Sequence, residues 1–140
     1  MYAFLERIVG QITRQSASVE LIRPNGVVFD SFGVTMQTQT IVAAAAFPID
    51  CADGLYVVNS QTTNVAQVIS APTNPILGQT LIIEFRNTSG GAAGAVTWNA
   101  VFKIGAAWTS AATGFNRRIA FYFNGTNWVE LYRQTVDVTN

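Results

Sequence analysis

The sequence predicts an all-β fold, an antiparallel β-sandwich or jelly roll with a short N-terminal helix. Three observations carry that prediction. Short runs of strand formers recur between residues 18 and 133, turn residues separate them, and residues 1–14 differ from the rest in keeping helical spacing. Some eight or nine strands spaced in this way suit a two-sheet antiparallel architecture.

Within residues 1–14, Phe4, Leu5, Ile8, Val9 and Ile12 recur as one apolar face, with Glu6, Arg7, Gln11 and Arg14 around it. Gly10 weakens this helix by about 1 kcal/mol, and an isolated helix this short is marginal in water. It therefore has to pack on something: its own domain, a neighbouring subunit or a larger assembly, or a membrane surface. Ser18–Arg23 then alternates like a strand, Pro24-Asn25-Gly26 is a strong turn signal, and Val27–Phe32 runs back as the second arm of a hairpin.

Thr38–Ala46 is ambiguous between helix and strand. A strand is favoured because Thr, Ile and Val open it and the turn-like Pro48–Gly54 follows. Gly54–Asn59, Asn64–Ser70, Gln79–Asn87 and Val96–Lys103 read as further strands. Ile119–Arg133 reads as a closing hairpin, whose strand formers flank Asn124-Gly125, the strongest short hairpin signal. No linker or clean repeat divides the chain. Residues 1–35 are expected to be an anchoring or assembly element and residues 36–140 the β-sandwich domain, in one compact unit.

A chain of 140 residues is long enough to bury roughly 68% of its unfolded surface. Hydrophobic residues make up 49%, whereas charged residues make up 11%, against roughly 25% in ordinary soluble domains. So few charges cover a monomer poorly, which points to a surface shared with other subunits. Eight cations balance eight anions, so there is no basic field for nucleic acid. The longest apolar run, Ile41–Pro48, is far shorter than the roughly 20 residues that span a bilayer. Glu6 and Arg7 interrupt what would be the apolar part of a signal peptide. Synthesis in a reducing cytoplasm, without a membrane partner, is the expectation.

Chemistry is sparse. The chain has no histidine and one cysteine, Cys51. That excludes Ser-His-Asp and Cys-His catalysis, an intrachain disulfide, and a transition-metal site of usual composition. Asp50 and Asp53 form the only close carboxylate pair, at a turn where Asp serves local hydrogen bonding. Gly90–Gly94 has glycines but neither Lys-Ser/Thr nor a following helix, so it is a strand connection and not a phosphate cradle. No cofactor, metal or catalytic residue is expected.

What remains is aromatic. Trp98, Trp108 and Trp128, with Tyr122, Tyr132 and Phe115, suit core or subunit packing or a sugar-stacking platform. Strict alternation puts Trp128, Glu130 and Tyr132 on one face of the last strand, facing a subunit or a glycan, and Val129 and Leu131 on the other. Adjacent Arg117 and Arg118 fall on opposite sides of a strand, and one is expected to pair with Glu84 or Glu130.

The runs Leu81–Asn87, Ser89–Gly91, Gly94–Lys103 and Arg118–Glu130 resemble a recurring β module at the C-terminus of bacteriophage capsid-decoration (cement), head-fibre and tail-fibre proteins. The resemblance covers about 55 residues and rests on turn-and-aromatic spacing. It implies a virion structural protein made in the host cytoplasm, non-enzymatic and commonly homotrimeric. A compact chain with an apolar N-terminal element and no repetitive shaft is shaped for capsid decoration, with the major capsid protein as partner. The alternative is a receptor- or glycan-binding head-fibre or tail-fibre module.

Overall fold

The computed structural model describes residues 21–22, 27–30 and 33–140. The helix expected over residues 1–14, with Phe4, Leu5, Ile8, Val9 and Ile12, lies outside the described residues. Among the described residues there are thirteen strands and no helix, so the all-β class holds.

Strand β1 (Leu21–Ile22) pairs antiparallel with β2 (Val27–Asp30), which pairs antiparallel with β3 (Gly33–Met36). The hairpin expected around Pro24–Gly26 is thus present as strand pairing, extended by a third strand.

The chain then winds instead of doubling back. Strands β4 (Thr38–Val42), β6 (Tyr56–Gln61) and β8 (Thr80–Asn87) stack in parallel in one large sheet, where Thr38 pairs with Tyr56 and Tyr56 with Ile82. Between them the chain crosses to a small sheet of β5 (Ala46–Phe47), β7 (Gln67–Ile69) and β9 (Val96–Trp98), also parallel. A parallel bridge from Asp50 to Thr73 marks a third point where successive turns meet. This is solenoid-like stacking. It corrects the purely antiparallel expectation: parallel strands need a long crossover, and the short strands of the small sheet supply it.

The antiparallel arrangement appears where the winding stops. Strand β11 (Phe115–Phe123) pairs antiparallel with β8 from Asn116–Arg86 to Tyr122–Thr80. It continues antiparallel to β12 (Trp128–Arg133) and, at its start, to β13 (Val138–Thr139). Strand β10 (Phe102–Lys103) runs parallel to β12 and completes the order β10-β12-β11-β8-β6-β4. Val96–Lys103, expected as one strand, is therefore two. The Asn99 side chain accepts from the Val101 amide at 3.1 Å, and Phe102 N donates to Asn99 O at 3.0 Å. That local turn moves the chain from the small sheet to the edge of the large one.

The core lies between the two sheets. Val57, Leu81, Ile83, Phe85, Ile119, Phe121 and Trp128 from the large sheet meet Phe47, Ile49 and Ile69 from the other side. Each large apolar side chain buried there contributes about 1.5–3 kcal/mol. One polar link crosses the core, where Asn59 Nδ2 donates to Gln67 Oε1 at 2.8 Å with both residues buried. The turns also approach closely at Gly94, where a Cβ would stand 2.0 Å from the Val65 carbonyl oxygen. Only glycine fits there.

Candidate functional site

The C-terminal aromatics divide into an inner and an outer set. Trp98 is ringed by Phe85, Phe102, Trp108 and Phe121, with centroids 5.8, 5.2, 6.1 and 5.4 Å away. Trp108 also lies 4.8 Å from Phe85. Trp128 is 1% exposed and packs against Phe123 at 5.0 Å. Edge-to-face and tilted contacts of this kind add about 0.5–1.5 kcal/mol per pair to simple burial. All three tryptophans are built into the fold, and Trp128 presents no surface to a ligand.

Strict alternation along β12 therefore needs correction. Phe121 pairs with Glu130 and Ala120 with Tyr132, so Leu131 has no partner on β11. This β-bulge shifts the phase of the strand by one residue. Trp128 stays on the core side, while Tyr132 crosses to the outer face, where it is 63% exposed. Tyr122, on the outer face of β11 opposite Thr80, is exposed as well. With Leu131 they form the open aromatic part of the large sheet.

Glu130 stays at the sheet edge and serves a loop. Its carboxylate accepts from Arg133 Nε and Nη2, both at 2.5 Å, and from the Gly105 amide at 2.8 Å. Arg133 Nη1 donates to Ala107 O at 3.0 Å. Arg117 donates to Asp137 at 2.5 Å and to Thr109 O at 3.0 Å, and Asp137 accepts from the Ala112 amide at 3.1 Å. Two ion pairs thus strap residues 105–112, which carry Trp108, onto the sheet. Hydrogen bonding from Arg133 holds the Glu130 carboxyl below its ordinary value against an opposing effect of burial. The Ala112 amide does the same for Asp137, again against burial and with help from Arg117.

The other charged cluster lies in the middle of the outer face. Glu84 on β8 is 1% exposed. Arg118, directly across the β8–β11 register, donates through Nε to Glu84 Oε2 at 2.7 Å. Arg86 donates through Nη2 and Nε to Oε1 at 2.6 and 3.1 Å, and the Tyr56 hydroxyl donates to Oε2. Burial alone pushes the Glu84 carboxyl up, but the hydrogen bonds from Tyr56, Arg118 and Arg86 outweigh it and hold it below the usual carboxylate range. The expected ion pair with Glu84 is therefore made by Arg118. Tyr56 and Arg86 are not among the residues the sequence points to, although their outward phase on neighbouring strands is a signal that registration alone turns into a contact.

The remaining candidates are structural. Asp50 accepts from Asn74 Nδ2 at 2.8 Å and from the Ala52 amide at 2.9 Å, and its backbone carbonyl accepts from the Asp53 amide. That is turn chemistry. In the glycine loop, the Asn87 side chain donates through Nδ2 to Gly91 O and Ala111 O at 3.1 and 3.0 Å, fixing a connection. Among the described residues no group of His, Cys, Asp and Glu is placed to hold a metal ion. No described helix is long and apolar enough to cross a membrane.

The chain matches no family model, no curated protein and no solved structure.

Proposed function

We propose that this chain is a non-enzymatic structural protein of a bacteriophage virion, a capsid-decoration or cement protein that binds the major capsid protein as a homotrimer. The observation that carries the reading is an apolar surface on a charge-poor chain. Leu77, Val136, Tyr132, Val42 and Leu131 are each more than half exposed, while only 11% of residues are charged. Surface of this kind suits burial between subunits at roughly 25 cal/mol per Å², multiplied by the valency of a symmetric oligomer. We take the two sheets facing across one core as the layers of a sandwich-like projecting body, and the apolar residues within 1–14 as the clamp.

Two measurements test this. Light scattering should give about 45 kDa, three times the 15.1 kDa chain; a monomer overturns the trimer. The protein should co-sediment with capsids stripped of it, and a chain lacking residues 1–14 should stay folded and not co-sediment. Failure of the full chain to bind overturns decoration.

A second reading, a glycan-binding head-fibre or tail-fibre module, is favoured by one observation: Tyr122 and Tyr132 stand exposed on the same face of adjacent strands.

A further inference from the structure

We infer that the outer face of the large sheet carries a subsite for the carboxylate of an acidic sugar, with Arg86 and Arg118 as donors and Tyr132 and Tyr122 as the stacking floor. The inference rests on the glycan-binding reading and names the ligand chemistry of that surface.

Among the described residues two guanidinium groups share one carboxylate, so the cluster keeps one positive charge. Glu84 Oε1 takes both bonds from Arg86, and Oε2 takes Tyr56 and Arg118. The carboxylate is saturated, but the arginines are not. Arg118 spends only Nε on Glu84, which leaves Nη1 and Nη2 without a partner among the described residues, and Arg86 keeps Nη1. Both arginine side chains are 45% exposed while Glu84 is 1% exposed. The cluster is therefore anchored from below and offers forked N–H donors above, the geometry that matches a carboxylate.

Preorganisation comes from the sheet. Arg86 and Glu84 are on β8 and Arg118 is on β11, paired continuously over seven positions, and Tyr56 on β6 joins through a second ladder. Little side-chain entropy is left to lose on binding. The aromatic part adjoins directly. Along the outer face of β11 the order is Arg118, Ala120, Tyr122, and Tyr132 stands across from Ala120 on β12. Tyr132 is the diagonal cross-strand neighbour of Arg118, about 5–8 Å away, and Tyr122 lies four residues along β11, about 13 Å from Arg118. A ring seated over the small Ala120 therefore reaches the Arg118 fork and Tyr132, and the next sugar reaches Tyr122. The site lies on the central strands β8 and β11, where no backbone edge is free. An acidic peptide therefore cannot add as a strand, and a side-chain-only platform favours a saccharide.

The test is titration of the full chain with sialyllactose, lactose, sulfated lactose and a glutamate-rich peptide, followed by amide chemical shifts at low salt. Sialyllactose should bind at least about tenfold more tightly than lactose, and shifts should centre on residues 84–86, 118–122 and 132. Arg118→Lys keeps the charge and loses the fork. It and Tyr132→Ala, at an exposed position that leaves folding intact, should each weaken binding about tenfold. Sulfated lactose should bind more weakly than sialyllactose; equal or tighter binding overturns the carboxylate assignment. Equal binding of lactose and sialyllactose overturns the anion subsite and leaves the glycan reading standing. Preference for the peptide, or silence from every saccharide, overturns both.

Discussion

Glu130 and Arg133, three residues apart on β12, close on each other at 2.5 Å and at the same time hold Gly105 N and Ala107 O. The pair links a sheet edge to the loop that carries Trp108, so its loss should be felt in the loop before the sheet. Glu130→Ala leaves Arg133 without its carboxylate and frees the Gly105 amide, at a cost of about 1–2 kcal/mol. The expected result is red-shifted tryptophan emission and faster proteolysis between residues 104 and 112, with the far-ultraviolet β signature unchanged. An emission spectrum identical to that of the parent chain would show that packing alone holds the loop.

Acid should destabilise the fold through the same carboxylates. In the folded chain Glu84, Glu130 and Asp137 all titrate below their ordinary values. The unfolded chain then takes up protons first as pH falls. The stability these groups contribute is complete above their ordinary values of 4.5 for Glu and 3.8 for Asp, and is lost below them. Urea midpoints should be level from pH 8 to about pH 5 and then fall. Glu84→Gln, which leaves two arginines sharing a neutral amide, should cost about 2–3 kcal/mol at pH 7 and flatten the acid limb. An acid limb of unchanged slope in that variant would remove Glu84 from the account.

The strands themselves were legible, because alternation and turn residues are local. Gln79–Asn87 and Ile119–Arg133 in the sequence become Thr80–Asn87 and the β11–β12 hairpin. The winding was not legible. Pro48–Gly54 marks the end of a strand but does not say whether the chain doubles back or crosses over. The crossover strands Ala46–Phe47 and Gln67–Ile69 are too short to show a period. The hairpin turn was read in kind but not in length. Phe123 pairs with Trp128, so four residues form the loop, and Asn124 Oδ1 caps the Thr126 and Asn127 amides at 3.0 and 2.8 Å while Gly125 takes a φ of +94°. The Leu131 bulge escaped because Leu is as good a strand residue in register as out of it, and with it went the true faces of Trp128 and Tyr132.

Those two residues give a direct contrast. Trp128→Ala empties a site in contact with Phe123 inside the core and should cost about 3–5 kcal/mol. Tyr132→Ala, at an exposed position, should stay within about 0.5 kcal/mol. Urea denaturation of the pair decides the phase of β12. Comparable losses from both would mean that the bulge is not where the register places it.

Cys51 governs the alkaline end. It is fully buried, and burial first, with the Asp50 charge behind it, pushes its thiol from an ordinary 9.0 up to about 12. Tyr56 is raised too, by burial and by the carboxylate of Glu84. A group whose folded value is raised binds its proton more tightly in the folded chain. Its contribution is therefore complete below the ordinary value and drains away as pH climbs from about 9 towards 12. Since the thiolate is the reacting form, a disulfide reagent at pH 8 should label Cys51 only as fast as the protein opens, and urea should accelerate labelling in step with loss of structure. Cys51→Ala should shift alkaline unfolding to higher pH. Rapid labelling of the native protein would place the thiol at the surface and remove the packing of Cys51 among Phe47, Ile49 and Leu55 as the source of its inertness.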